Sequence, residues 1–274
     1  MSAAHDWEGT AGDHWAAEWR RTDRSFGGLT DRLLSGTRGV DASQVLDIGC
    51  GAGELSLAVA RGRSGAQIVG IDISPQLVAT AQERAANHGN IRFELGDASR
   101  WHPSDDFAPD LLISRHGVMF FDDPTSAFAN LAELAAPDAT LLFSCFRGPA
   151  ENEIFTGIGG LLPPPDSPPD PEAPGPMAFA DPDRVHAILS QGGWTDIRIE
   201  PFDFAMVVGM GEDPVSDAVE YFCKIGPLSV ALEGMDDPSK ANLIAELRAY
   251  LAPREVDGLI ALGAAAWIVT AKRA

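Results

Sequence analysis

Val45-Leu46-Asp47-Ile48-Gly49-Cys50-Gly51-Ala52-Gly53-Glu54 is the stretch whose reading decides the fold. A short apolar run, Gln44 to Cys50, ends in alternating glycines, and helix-forming residues come after it from Glu54 to about Ala60. Continuous apolar character is what a strand buried on both faces requires. Glycines at the strand's end let the backbone turn tightly and approach a ligand closely.

The same alternation repeats downstream. Gln67 to Ile73 reads as a second strand, and Ser74-Pro75 opens a helix with Leu77, Val78, Ala81 and Ala85 on one face. Ile91 to Leu95 and Asp110 to Ser114 read as the third and fourth strands. Asp123-Pro124 opens another helix, and Ala139 to Phe146 is a fifth strand. Strands alternating with helices argue for a parallel sheet covered on both faces, a Rossmann-like doubly wound α/β fold. Right-handed crossovers then gather the strand C-termini on one edge, where ligands bind.

Spacing within the loop narrows the ligand. A dinucleotide fingerprint, G-x-G-x-x-G, counted from Gly49 and Gly51 puts its third glycine at position 54, which is Glu54. Asp47 adds a second carboxylate. Two negative charges repel a pyrophosphate and suit a ligand carrying an amine and a sulfonium, as S-adenosylmethionine does. No Gly-Lys-Ser/Thr is present after the loop, so the Walker pattern is absent. Asp72 ends the second strand, where a carboxylate can accept bonds from both ribose hydroxyls. Asp97 comes after the third strand in Gly96-Asp97-Ala98, placed for an adenine amino group.

These motifs carry a resemblance. Asp47 to Gly53, Gly70-Ile-Asp72-Ile-Ser74-Pro75 and Gly96-Asp97-Ala98 match in order the first three motifs of class I S-adenosylmethionine-dependent methyltransferases. The resemblance is to the small-molecule branch that includes ubiquinone/menaquinone-type enzymes. It is specific over residues 40 to 147. It implies seven strands, mostly parallel, the last antiparallel beside the fifth, and Ala264 to Ala271 is suitably placed to be that strand. It implies that Asp47, Gly49, Gly51 and Gly53 hold the methionine end of the cofactor. Asp72 and Ile73 hold the ribose and adenine, Gly96, Asp97 and Ala98 the adenine edge. Ser114 lies near the methionine moiety, Trp19 covers the cofactor, and S-adenosyl-L-homocysteine is the product.

Candidate substrate residues lie directly after the fourth strand and in the covering segments. His116 is read as a general base, a positioning residue or a replacement for an aromatic wall. Arg115 is read as holding a substrate carboxylate or phenolate, or as bridging to Asp122 or Asp123. Arg115 and His116 are thus the catalytic candidates. His14, His116, Met177, Phe179 and Tyr221 are the acceptor-binding candidates. Met206, Met210 and Phe222 are further pocket candidates, against the alternative that all of these are plain core.

Residues 1–40 read as a helical N-terminal cover, with Asp13 to Arg24 one helix. Residues 41–147 are the cofactor-binding core. Residues 148–274 are a covering insertion and then the completion of the sheet, all within one structural domain. The insertion contains a proline-rich stretch, Pro163 to Pro176, which excludes a helix or central strand. Thr195 to Glu200 and Phe204 to Val208 are expected as strands, and Val215 to Leu232 and Ser239 to Leu251 as helices.

Composition sets the outer bounds. The formal net charge of −20 and the lack of any basic cluster argue against nucleic acid or an anionic membrane as partner. Three scattered cysteines and unpaired histidines predict no metal. No apolar run reaches a membrane span, and Met1 to Trp7 lacks a signal pattern, so a cytoplasmic monomer or homodimer is the default. The function expected is methyl transfer to an O, N or C atom of a small, partly apolar metabolite, aromatic ones included. The alternatives are a nicotinamide-dependent oxidoreductase, a nucleic-acid or protein methyltransferase, and a non-catalytic S-adenosylmethionine-binding regulator.

Overall fold

The structure is a computed structural model that describes residues 7–164 and 170–274. Its centre is a twisted sheet built from β1 (Gln44–Ile48), β2 (Gln67–Asp72), β3 (Ile91–Leu95), β4 (Leu111–Arg115), β5 (Thr140–Phe146), β6 (Trp194–Met210), β7 (Glu255–Val256) and β8 (Leu259–Arg273). The order is β3-β2-β1-β4-β5-β8-β6, with β7 added to β8. β1 to β5 pair in parallel, and β8 runs antiparallel between β5 and β6. β1, β4 and β5 are buried almost throughout, as their unbroken apolar runs require.

The helices are α1 (Thr10–Ala17), α2 (Trp19–Ser25), α3 (Gly27–Thr37), α4 (Glu54–Gly62), α5 (Pro75–Arg84), α6 (Pro124–Leu134), α7 (Pro182–Gln191), α8 (Pro214–Phe222), α9 (Pro227–Glu233) and α10 (Asp237–Leu251). Five begin as their sequences dictate. Ser74, Asp123, Asp181, Asp213 and Asp236 each accept a bond from an amide in the first turn, with a proline in that turn.

Three expectations about strands are corrected. The sheet has eight strands rather than seven among the described residues; the addition, β7, joins β8 through Asp257-Gly258, both with positive φ as a two-residue hairpin turn demands. The two segments around Pro201 form one seventeen-residue strand, β6. Pro201 lies inside it, because β6 is the edge of the sheet, where a missing N–H is tolerated. β8 is correspondingly longer than Ala264 to Ala271.

The expected helix over Asp13 to Arg24 is two helices. They bend at Glu18, which is buried and takes bonds from Arg21 and Lys224, both at 2.6 Å. The segment Val215 to Leu232 likewise divides into α8 and α9, because Pro227 opens a new helix rather than continuing the old one. α2 is fastened to α8 by Arg21–Asp217 at 2.7 Å and Arg24–Asp217 at 2.8 Å. These two helices close over the C-terminal edge of the sheet. Of the proline-rich stretch, 165–169 lie outside the described residues, as do residues 1–6.

Candidate active site

A cavity of about 490 Å³ opens at the C-terminal edge of β1, β2, β3 and β4. The glycine loop forms its floor. Gly49, Gly51 and Gly53 all have positive φ, at 63°, 54° and 83°. At Gly49 an added Cβ would stand 2.8 Å from the Cα of Gly117, so the loop and the turn after β4 touch backbone to backbone. That contact admits only glycine on either side.

Asp47 is buried at the base of the loop and accepts a bond from the Ser56 hydroxyl. Burial raises its pKa to about 7. Asp72 accepts from the Gly51 amide at 2.8 Å and the Ser74 amide at 2.9 Å, one on each oxygen. It therefore pins the glycine loop while keeping lone pairs for a ligand. Burial pushes its pKa up as well, against the pull of those amides. Asp97 accepts from the Ser99 amide and hydroxyl, at 2.9 and 2.7 Å, and pairs with Arg100 at 2.9 Å.

Of the residues expected at the cofactor, Trp19, Asp47, Gly49, Gly51, Asp72, Ile73, Gly96, Asp97 and Ala98 line the cavity. Gly53 and Ser114 stand away from its wall. Gly53 starts α4 against Phe93. The Ser114 hydroxyl donates to the Ile48 carbonyl at 2.7 Å and accepts from the Gly117 amide at 3.2 Å, so it ties the two turns together.

Glu54 departs from its expected role. It does not face the cavity; its carboxylate pairs with Arg115 and takes a bond from Thr30 at 3.3 Å. Arg115 is accordingly held by Glu54 and Thr30, with Asp23 at 3.9 Å, rather than by Asp122 or Asp123. The cavity remains acidic without Glu54. Asp23, Asp47, Asp72, Asp97, Asp122 and Asp123 line it, against Arg100 and Arg115. A ligand with two positive centres fits that wall; a pyrophosphate does not.

Sequence reasoning missed Asp23. It comes from α2, bonds Arg84 at 2.6 Å, and has its pKa raised to about 6, chiefly by burial and then by Glu54. Arg84 in turn lies over the Trp19 ring at 3.8 Å and donates to the Ala52 carbonyl. This chain of contacts seats the N-terminal cover on the glycine loop. No periodicity marks it, because its members are 61 and 32 residues apart.

The other half of the cavity is apolar. Phe26, His116, Phe146, Ile154, Phe155, Met206, Tyr221 and Ile225 form it. His116 is buried, has a φ of 63°, and packs against Phe146 at 4.1 Å and Phe26 at 5.4 Å. Its Nδ1 is 3.2 Å from the Ser144 hydroxyl, and its buried Nε2 has no partner among the described residues. Burial first, and Arg115 beside it, bring its pKa down to about 3, so the ring is neutral at ordinary pH.

The remaining acceptor candidates divide. Tyr221 and Met206 reach the cavity, whereas His14, Met177 and Phe179 do not. Phe179 is core, 6.2 Å from both Phe128 and Phe143. Phe222 is core beside Tyr221, and Met210 is exposed. Trp7, Trp15 and Phe120 close the mouth, with Trp7 at 5.6 Å from Trp15 and 5.2 Å from Phe120. Pro176, at the end of the proline-rich stretch, also reaches the rim. Among the described residues no cluster of three metal-ligating side chains occurs, and no helix is long and apolar enough to cross a membrane.

Known proteins resemble part of this chain. A family described as a methyltransferase domain matches residues 40–157. Malonyl-[acyl-carrier protein] O-methyltransferase of Halalkalibacterium halodurans is 32% identical over 104 residues, 37% of this chain and 38% of that protein. Trans-aconitate 2-methyltransferase of Variovorax paradoxus is 34% identical over 101 residues, again 37% of this chain and 38% of that protein. The matched part thus spans under two-fifths of the length of these curated relatives. The solved structure of YcgJ from Bacillus subtilis shares the fold, with a TM-score of 0.58 at 18% identity over 89% of this chain and 97% of its own. Residues 40–157 thus match a family described as a methyltransferase domain, and they lie in a Rossmann-like sheet.

Proposed function

We propose that this protein transfers a methyl group from S-adenosylmethionine to a small, partly apolar acceptor. The carrying observation is the two-part cavity: carboxylates on the strand edge at one end, aromatic side chains around His116 at the other. S-adenosylmethionine, when bound, supplies an electrophilic methyl on a sulfonium. Asp72 would hold the ribose hydroxyls, the Asp97–Ala98 turn the adenine edge, and Asp47 with the glycine loop the cationic methionine end.

The protein's part is alignment and exclusion of water. Phe26, Phe146, Phe155 and Met206 supply an apolar wall on which an acceptor can be oriented toward the loop. Trp7, Trp15 and Trp19 close the opening. The acceptors named for the two relatives differ, one a malonyl-acyl carrier protein and the other trans-aconitate, so the acceptor is read from the cavity. Its walls suit an aromatic or branched aliphatic body, and the methylated atom is O, N or C.

Calorimetry with S-adenosylhomocysteine and with NADH tests the cofactor. Binding of the former alone is expected, and retention of NADH alone overturns the reading. Incubation of the protein with labelled S-adenosylmethionine and a metabolite extract tests the activity. A labelled small product is expected. Tight cofactor binding without any labelled product would instead favour a regulatory binder.

A further inference from the structure

The acidic wall answers two of the three charges on S-adenosylmethionine and leaves the third without a counterpart. The ammonium and the sulfonium are cations, but the same methionine end carries a carboxylate, which carboxylate side chains repel. Among the described residues that line the cavity, only Arg100 and Arg115 are permanent cations. Arg100 belongs to the Asp97 turn at the adenine edge, and its side chain is 82% exposed. Arg115 stands at the other end, on the last position of β4, beside the turn in which Gly117 touches Gly49.

Arg115 is only partly committed. Its Nη1 serves Glu54 and, at 2.8 Å, the Thr30 hydroxyl. Its Nη2 faces Asp23 Oδ1 at 3.9 Å, too far for a hydrogen bond. Asp23 is divided in the same way. Its Oδ2 accepts from Arg84 at 2.6 Å, while its Oδ1 has that long contact alone among the described residues. The polar side-chain atoms sealed from solvent without a partner belong, among the described residues, to His116 and Arg147. Asp23 Oδ1 and Arg115 Nη2 are therefore accessible, and both side chains line the cavity. The result is an ion pair held open, each member anchored through its other atom. A free acceptor beside a free charged donor matches an α-amino-acid head, which carries an ammonium and a carboxylate on one carbon.

We propose that the open Asp23–Arg115 pair binds the amino-acid head of the cofactor, with Asp23 Oδ1 accepting from the ammonium and Arg115 Nη2 donating to the carboxylate. This rests on reading the cavity as an S-adenosylmethionine site. Asp47 acts on the same end by its charge from beneath the glycine loop, since it is 1% exposed and bonded to Ser56. Asp23, by contrast, presents an unused oxygen. Asp23 comes from α2 and Arg115 from β4, so the head ties the N-terminal cover to the sheet. A ligand with the adenosine and the sulfur but no amino-acid head leaves that tie unmade.

Calorimetry on the full chain with four ligands tests the pair. S-adenosylhomocysteine has both groups, its decarboxylated analogue keeps the ammonium, its deaminated analogue keeps the carboxylate, and 5′-methylthioadenosine has neither. Asp23→Asn preserves the shape of the side chain, and Arg115→Lys preserves a cation for Glu54. Asp23→Asn is expected to weaken S-adenosylhomocysteine and the decarboxylated analogue by about tenfold or more, the loss of a charge-assisted bond, without weakening the other two. Arg115→Lys is expected to weaken S-adenosylhomocysteine and the deaminated analogue similarly, without weakening the other two.

An equal loss for all four ligands in Asp23→Asn means that the residue only seats the cover, and overturns the proposal. Unchanged affinity for S-adenosylhomocysteine in either variant, or an exchange of the two patterns, overturns it as well. Where a variant does not fold, the wild type supplies the measurement. Each analogue lacking one group should then bind about tenfold or more weakly than S-adenosylhomocysteine, and one that binds equally well overturns the pairing. Failure of every ligand, 5′-methylthioadenosine included, to bind the wild type would sink the cofactor reading itself. Binding of all four with no separation by the variants sinks the pair alone.

Discussion

The two halves of the cavity are built in opposite ways. The cofactor half is local: Asp47, the glycines, Asp72 and Asp97 all sit at the ends of consecutive parallel strands within one continuous stretch of chain. The acceptor half is assembled from afar. Phe26 comes from the turn between α2 and α3, His116 from the end of β4, Phe146 from β5, Met206 from β6 and Tyr221 from α8. Backbone geometry dominates the first half and side-chain packing the second. A mutation in the first is therefore expected to act on cofactor affinity and loop integrity, and one in the second on acceptor choice.

The largest effect should come from the backbone contact that joins the halves. In Gly49→Ala the new Cβ meets the Gly117 backbone at 2.8 Å from a left-handed φ, and neither partner is a side chain that can swing away. A loss of about 3 kcal/mol or more of stability is expected, with no measurable cofactor binding. Urea unfolding and calorimetry together read this, and a native-like stability would break the picture of two touching turns.

Asp47 separates affinity from stability. Its folded pKa is about 7 and its ordinary value 3.8. Between those values the folded state keeps a proton that the unfolded chain has released. Stability is thus fully present below pH 3.8 and declines as pH rises through 7. Asp47→Asn removes that decline. Unfolding of the free variant at pH 8 should require more urea than the wild type, by up to ~4 kcal/mol at about 1.4 kcal/mol per pKa unit. Its S-adenosylmethionine affinity should fall. If the variant is instead less stable at pH 8, the Asp47 side chain holds the loop rather than awaiting a cation.

Asp72→Ala should weaken S-adenosylhomocysteine binding by about 1.5–3 kcal/mol, the range for bonds to a charged group. Part of that loss reflects the freed Gly51 amide. Isothermal calorimetry distinguishes this from an unchanged affinity, which would remove Asp72 from the ribose site.

In the acceptor half, His116→Gln keeps a donor near the position of Nε2, whereas His116→Phe keeps only the ring. With any acceptor identified from the labelled extract, His116→Phe, which keeps a ring packed between Phe26 and Phe146, should retain turnover better than His116→Gln. Better turnover by the Gln variant would mean that the ring is more than a wall. The smallest effect belongs to the rim of the cover. Glu220→Ala removes one exposed partner of Arg21, and a change within about 0.5 kcal/mol in unfolding is expected.

How much of the molecule is legible in the chain varies by residue. The strands from Gln44 to Phe146, the Ser74, Asp123 and Asp181 caps, and the acids at the ends of β1, β2 and after β3 can all be read off it. Glu54 shows where such reading stops. Its position in the loop is local, but its partner Arg115 is 61 residues away, and that pairing turns the charge from the cavity. Phe179 had the right composition for a pocket and proved to be core, because burial depends on which helix and strand arrive against it. Thr195 to Glu200 and Phe204 to Val208 read as two strands and form one, because Pro201 between them sits on an edge, which tolerates what a central strand does not.

The sequence by itself determined the cradle: strand, glycine turn, helix and acids at fixed intervals, whose chemistry lies in backbone shape and nearest neighbours. Only the tertiary structure decided which carboxylates face the cavity and which aromatic residues wall it. Those depend on partners tens of residues distant, and no spacing along the chain records which of them packing will bring together.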